Sequence, residues 1–523
     1  MAGTEGTMQD RYRLAEVGTA TQLLIDDHVV DDIWLLRRVP EMPAKHPDNP
    51  LAIAPSLYDA EEKLFKAWYP AVPEDPEDDP GNEALYARAY AVSEDGFHWH
   101  KPELGIVEHS GSKRNNLIDV SAMHGEFGVA MKDPHDPDPG RRYKGTIKRW
   151  YHHVDPDRRG GGRLFAAYSA DGIRWHMYPD ERSIIRDSND GNGCFLYDER
   201  IGRYVNFRRP TILAGPRGEV PGDLGFPEVE GDERGLYRHR EAEDYLHRYL
   251  RAQPYVDTRA AIGATDHAHE GMGCNRRIAR AESDDFVNWT DPEVIIRPDE
   301  LDPPRLYGID VCVCDGVYIG LLQVFNKWGR KGYLGDPSQA DTLDVQLTFS
   351  RDGFRWERLA NRPVFIPRGV IGSWDGGMIA GSRMIEHGDE LRFYYAGHSG
   401  SHNVPGRTSG TGLATLPKGR FVARAAADEL GVLITKPFRL EGDRLQINAD
   451  ASRGRIKVEV ADPIGKPIPG LAVRDCRPIE EDGLRVPVTW NGSAALRDLA
   501  GQVVRLRFYL YESKLYSFTV EAA

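Results

Sequence analysis

Ser93-Glu-Asp95-Gly96-Phe-His-Trp99 returns as Ser169-Ala-Asp171-Gly172-Ile-Arg-Trp175, Ser283-Asp-Asp285-Phe286-Val-Asn-Trp289 and Ser350-Arg-Asp352-Gly353-Phe-Arg-Trp356. The shared form, Ser-x-Asp-Gly-x-x-Trp, is a hairpin signal. Asp followed by Gly suits a tight turn that needs positive φ, and the Trp opening the next strand packs back across the turn. Each copy ends a β-like run, 85–92, 164–168, 277–281 and 345–349, and two further runs lie upstream of each. The pairs are 51–58 with 64–69, 127–131 with 143–148, 193–197 with 204–208, and 309–314 with 318–325. A fifth unit, 377–385, 391–397, 412–416 and 420–425, lacks the Trp hairpin. The gap between the second and third copies is swollen by the polar stretch 213–273, which carries one helix candidate, 240–251. Four-stranded units repeated along a chain make a β-propeller, and five units predict five blades.

Past about residue 431 the pattern becomes short alternating strands, among them 445–448, 456–460, 486–490, 503–511 and 516–520, which read as a β-sandwich. The expected organisation is an N-terminal tail over 1–20, a five-bladed β-propeller over 21–430 with its insertion at 213–273, and a sandwich over 431–523. The fold class is all-β.

The 523 residues are 40% hydrophobic and 28% charged, a globular balance, and the net charge is -14. An acidic chain is a poor partner for nucleic acid or an anionic membrane, both of which select basic patches. The polar first ten residues show no signal-peptide core, and the cytoplasm is the expected compartment. Five cysteines at irregular spacing (Cys194, Cys274, Cys312, Cys314, Cys476) form neither a disulfide framework nor a zinc pattern, and Cys312 and Cys314, alternating along an apolar run, read as buried thiols.

Several stretches together resemble the furanosidase-type propeller superfamily, glycoside hydrolase families 32, 43, 62 and 68, and most of all family 32-like bacterial proteins. They are Leu24–Val30 (LIDDHVV), Phe65–Tyr69, the repeated hairpins, Gly111–Asn116 (GSKRNN), Lys132–Tyr143 and Gly372–Asp375 (GSWD). The resemblance implies an axial funnel that holds the sugar, carboxylates on the innermost strand of each blade, and a sandwich behind the propeller. It also implies hydrolysis of a furanoside, fructofuranosidase- or arabinofuranosidase-like, with exo-attack if the funnel is closed at its base. Pro47-Asp48-Asn49-Pro50 echoes the first-blade motif of family 32. The Arg-Asp-Pro of the second blade is absent, with Asp119 or Glu126 nearest, and Asp187-Ser-Asn-Asp190 stands where a third-blade Glu is expected.

The start of each innermost strand lines a propeller's funnel, which nominates Asp48, Asp119 and Glu126, Asp187 and Asp190, Asp310 and Asp375. Glycoside cleavage needs one carboxyl kept protonated for the leaving oxygen and one ionised to attack or to activate water. Crowded acids push one pKa up and so provide the first. Asp48, Glu126, Asp190, Asp310 and Asp375 are the catalytic candidates. Asp119, Arg149, Asp187, Arg208, Trp374, Tyr395 and His398 are the substrate-binding ones. Several have structural alternatives: Asp48, Asp190 and Asp375 sit in turn-forming contexts, and Arg149, Arg208 and Arg209 could pair with the acids. Asp95, Asp171, Asp285 and Asp352 belong to the hairpins. His267-Ala-His269-Glu270 lacks a strand to align a metal pair. No cofactor is required, although a structural cation in the channel is compatible with the ring of acids. The expected partner is an oligosaccharide or glycoside, and a homo-oligomer is allowed. A transglycosylase, a phosphorylase with a basic phosphate pocket near Arg208 and Arg209, or a non-catalytic carbohydrate-binding propeller are the rival readings.

Overall fold

The computed structural model describes residues 14–71, 87–120, 125–150, 162–178, 183–188, 193–209, 277–303, 306–326, 342–402, 406–492 and 495–522, with a short strand pair at 230–231 and 237–238. Among them the helical elements are two 3-10 turns, Pro139–Arg141 and Leu496–Leu499; everything else regular is β. The helix candidate at 240–251 and Cys274 lie outside the described residues.

Five antiparallel sheets follow one another along the chain. The first is Leu57–Asp59, Leu64–Pro70, Arg88–Ser93 and Leu117–Ile118. The second is Glu126–Lys132, Tyr143–Trp150 and Gly162–Ser169, with His176–Met177 and Ser183–Ser188 sharing the outer edge. The third is Cys194–Asp198, Arg203–Arg208, Ile278–Ser283 and Glu293–Ile296. The fourth is Leu306–Cys314, Val317–Asn326 and Thr342–Ser350, again with two short outer strands, Glu357–Arg358 and Val364–Ile366. The fifth is Met378–His387, Glu390–His398, Ser409–Pro417 and, out of chain order, Ala44–Lys45.

The repeated hairpin joins these sheets as well as turning the chain. In the first copy Ser93 Oγ accepts from Gly96 N at 2.8 Å, and Asp95 Oδ1 accepts from the amides of Phe97 and His98, each at 2.8 Å. The Asp is thus consumed by the turn. The indole N–H of Trp175, Trp289 and Trp356 donates back to the carbonyl of residue 172, 286 or 353 at 2.8 to 3.0 Å. Gly172 O also accepts from Trp68 of the first sheet, and a Cβ on Gly172 would stand 2.7 Å from that indole, so glycine is required there for contact as well as for φ. Phe286 holds the same left-handed conformation (φ 65°) without being glycine. Its fully buried ring packs among Phe195, Tyr204 and Trp289, which offsets a strain of about 1–2 kcal/mol.

A second device, absent from the sequence reading, recurs where the innermost strands end. Asp59 accepts from Tyr143 Oη of the second sheet at 3.1 Å and pairs with Lys66 and Lys132 at 2.8 and 2.6 Å. Asp133 accepts from Tyr204 Oη of the third sheet, and Asp198 from Tyr318 Oη of the fourth. Each of the first three sheets therefore presents a buried acid to a tyrosine of the next. The contacts also close on themselves: Arg392 of the fifth sheet donates to Asp95 O, and Arg383 to Ser56 O, both at the first sheet.

Two further sheets share one apolar core. One is Arg37–Pro40, Val422–Ala426, Ser513–Glu521, Arg444–Asp450 and Asp482–Pro487, with Gln22–Leu23; the other is Val30–Trp34, Gly431–Thr435, Val503–Tyr511, Phe438–Arg439 and Arg455–Ala461. Ile447, Leu515 and Phe518 from the first meet Leu433, Val458 and Phe508 from the second. The expectation that residues 420–425 complete the fifth unit is corrected here. Val422–Ala426 pairs with Arg37–Pro40 and Ser513–Glu521, and Ala44–Lys45 takes the vacant edge. The LIDDHVV stretch works between the two regions: Arg351 grips Asp26 with two bonds of 2.8 and 2.9 Å, while Arg424 holds Leu24 O and Asp27 Oδ1.

Candidate functional site

The first strands of these five sheets line a cavity of about 410 Å³, to which each of the five contributes: Ser56 to Tyr58, Ala130, Cys194 and Phe195, Asp310 to Cys312, and Arg383 to Glu386. That volume lies within the ~300–1,000 Å³ of small-molecule sites. Its lining is mostly apolar, and its charged groups are Asp310, Arg383 and Glu386.

Asp310 is the predicted acid that reaches this space. It occupies the middle of Leu306–Cys314, and a β-bulge in the neighbouring strand serves it. The register slips between Ala380 and Ser382, leaving Gly381 unpaired at φ 56°, and Ser382 N donates to Asp310 Oδ2 at 3.1 Å. Bulges re-aim groups in this way beside functional sites. Burial pushes the Asp310 carboxyl above the usual range; the Arg383 guanidinium and the Ser382 amide oppose this without cancelling it. Arg383 spans the seam to the first sheet through Ser56 O, and Glu386 is ion-paired with Lys418. The thiols are inert: burial pushes Cys194 up to about 12, and Cys312, beside Met384 Sδ at 3.6 Å, is also raised by burial.

Toward the start of the strands the character becomes cationic. Glu126, half-buried, stands directly across the ladder from Lys148, whose side chain is wholly enclosed. Burial drives Lys148 down to about 7, with Glu126 opposing and the Arg209 guanidinium adding. Arg88 donates to Phe127 O at 3.0 Å and feels the charge of Glu126. Arg149 lies over the Phe165 ring at 4.8 Å and reaches Met177 Sδ, so it packs within its own sheet. Arg208 ends its strand with Nε and Nη1 enclosed and unbonded among the described residues, and burial lowers its pKa to about 10.

The fifth-sheet candidates form a cluster of their own. Asp375 is buried and neutralised by Lys45 Nζ at 2.5 Å, with Tyr395 Oη at 3.1 Å and Ser373 Oγ at 3.1 Å as further donors. Trp374 stacks on the buried Tyr395 (5.9 Å between centroids, 15°), and a Cβ on Gly397 would meet its indole at 2.4 Å. The pair packs against the fifth sheet's own backbone and is not an open sugar platform. His398 bonds Ser409 Oγ at 2.7 Å; burial first, then Arg407 and His402, lower it to about 4, which leaves it neutral.

Asp48 does not face the channel. Its side chain is 83% exposed, because the segment that carries it runs along the outer edge of the fifth sheet, where Asn49 clamps the backbone of Leu413 with two 2.9 Å bonds. Asp119 is also exposed and bridges by its backbone to Arg174. Asp187 lies in the strand Ser183–Ser188, and Asp190, His267, His269 and Glu270 fall outside the described residues. No three His, Cys, Asp or Glu side chains among the described residues cluster as metal ligands. Sequence reasoning missed Arg383, Glu386 and Lys148. The signal available for Arg383 and Glu386 was a charged residue inside an innermost strand, the same signal that found Asp310.

No family model matches the chain, and no curated protein does. Similar solved structures include the Bombyx mori GH32 beta-fructofuranosidase BmSUC1, 9% identical over 92% of this chain and 94% of that one, with a TM-score of 0.33. Sucrose-6-phosphate hydrolase from Lactobacillus gasseri is 12% identical over 92% and 84%, TM-score 0.35. A thermostable family-43 glycoside hydrolase is 11% identical over 72% and 89%, TM-score 0.37. The structural neighbours thus include families 32 and 43, which the sequence resembles, and at these values they assign no residue and no substrate to this chain.

Proposed function

We propose that the five sheets are the blades of a propeller, that the two C-terminal sheets form a sandwich, and that the protein is a glycoside hydrolase working in the axial channel. The observation that carries this reading is Asp310: a carboxyl biased toward its protonated form, facing a sugar-sized cavity reached by all five innermost strands. Asp310 donates the proton to the leaving oxygen. Water attacks the anomeric carbon, and Arg383 orients substrate hydroxyls; Glu386, the other carboxylate of the cavity, is paired with Lys418 about 13 Å along the strand from Ser382, too far to share the reaction with Asp310. Such chemistry calls for no cofactor. The limited volume favours a terminal sugar, and the furanoside preference rests on the sequence resemblance alone. The test is turnover of aryl furanosides by wild type and by Asp310→Asn. Loss of two to four orders of magnitude with retained fold supports the reading; equal turnover removes it. A non-catalytic carbohydrate-binding propeller is the second reading, favoured by the Lys45 pair that neutralises Asp375, and it prevails if wild type binds sugars yet cleaves none across a broad panel.

A further inference from the structure

Lys144, Thr146 and Lys148 alternate onto the face of the second sheet that meets the third, since Lys144 stands 3.6 Å from Asp133, the acid bound by Tyr204. By the same alternation Tyr204, Asn206 and Arg208 share the opposing face of the third sheet. Four residues beyond the Lys144–Asp133–Tyr204 contact, about 13 Å along the strands, the second sheet carries Lys148 and the third Arg208, and neither feels the other's charge. Lys148 answers to Glu126 across its ladder and to Arg209, whose guanidinium lies over Tyr307 of the fourth sheet at 4.7 Å. Arg208 borders the channel. Gly193, where a Cβ would stand 2.9 Å from Arg208 Cβ, directly precedes Cys194 of the cavity lining.

The Lys144 and Arg208 positions differ in one respect. Lys144 is matched by Asp133 and Asp136. Arg208 Nε and Nη1 are closed off from solvent and bonded to nothing among the described residues. A guanidinium fork held ready in this way matches a planar or tetrahedral oxyanion. The fold bears the cost of burying these donors unbonded, and a bound anion would recover it.

We propose that Arg208, on the third sheet beside Gly193 and the channel, binds an anionic group, a carboxylate or a phosphate, carried by the sugar substrate. The proposal rests on the glycoside reading for its substrate but not for its test, which measures binding without turnover. Calorimetric titration of the full chain uses glucuronate, glucose 6-phosphate, inorganic phosphate and glucose as probes, at matched ionic strength. One sugar anion is expected to bind at least ten-fold more tightly than glucose, and which of the two does so identifies the oxyanion. Arg208→Met should weaken that binding at least ten-fold, leave glucose unchanged and raise the melting temperature, because an unbonded buried charge is removed. Arg208→Lys, which keeps the charge but not the fork, should fall between them and stands in if the Met variant does not fold. Equal affinity for all the sugars, anion binding that survives in both variants, or inorganic phosphate binding as tightly as the sugar anions overturns the proposal. Asp310→Asn should retain anion binding, so failure of the hydrolase reading and failure of this one are told apart.

Discussion

The innermost strands begin and end in opposite electrostatic conditions. At their ends Asp59, Asp133 and Asp198 are buried acids, each bonded by a tyrosine of the next sheet and accompanied by a lysine or arginine. Near their starts and midpoints the buried charges are incompletely answered: Arg208 has idle donors, and Asp310 is pushed toward neutrality. Enclosed charge that is fully matched holds sheets together, and enclosed charge left wanting is free to meet a ligand. The proposed chemistry therefore draws on the second group, even though the first holds the better-paired acids.

Breaking this contrast should give effects of very different size. The largest is on catalysis: Asp310→Asn is expected to lower turnover ~10²–10⁴-fold, read by single-turnover assay. Next comes Asp59→Ala, which removes the acid shared by Lys66 and Lys132 and leaves each with a single carboxylate, Glu62 or Glu61; it should cost about 3 kcal/mol in urea unfolding. Tyr204→Phe removes a bond to a charged acceptor and should cost about 1.5–3 kcal/mol. Replacing Trp356 by Phe, which deletes the N–H to Gly353 O, should cost about 1 kcal/mol. Asp48→Asn should change turnover by less than about two-fold, a bound set by its exposure alone.

The pH dependence sharpens the same contrast through its sign. Lys132 and Lys66 outweigh the burial of Asp59 and hold its pKa well below the usual range. It adds stability above about pH 3.9, the unfolded value, and loses it as the pH falls through the folded pKa. Asp310 is raised, so it destabilises the fold progressively as the pH climbs from about 3.9 through its folded pKa. Thermal melts from pH 3 to 8 should therefore show Asp310→Asn more stable than wild type at neutral pH and similar at the acidic end. A difference that does not depend on pH would remove Asp310 from the protonated role.

What was legible in the sequence was local. The Ser-x-Asp-Gly-x-x-Trp turns are written in adjacent residues, so the sheets could be read from them, and Asp310 stood out as an acid inside an apolar strand. The acid–tyrosine contacts were partly spelled out, since Tyr58-Asp59 and Tyr197-Asp198 both precede the turn after an innermost strand, but their partners lie in the next sheet. Ala44–Lys45 was invisible because two residues carry no periodicity, and its partner lies near residue 414. Asp48 was misplaced for the same reason, as it travels with that segment. Lys148 could not be found because alternation shows that a strand has two faces without showing which one meets a neighbouring sheet.

The pairing of Ala44–Lys45 with Ala414 and Thr415 has a consequence for biosynthesis. A ribosome releases Lys45 long before it reaches Thr415, so four sheets can assemble while their seam stands open and the outer edge of the fifth does not yet exist. The nascent chain must therefore keep its N-terminal segment unengaged until the last repeat emerges, and a truncation that removes it would leave a hoop without a clasp.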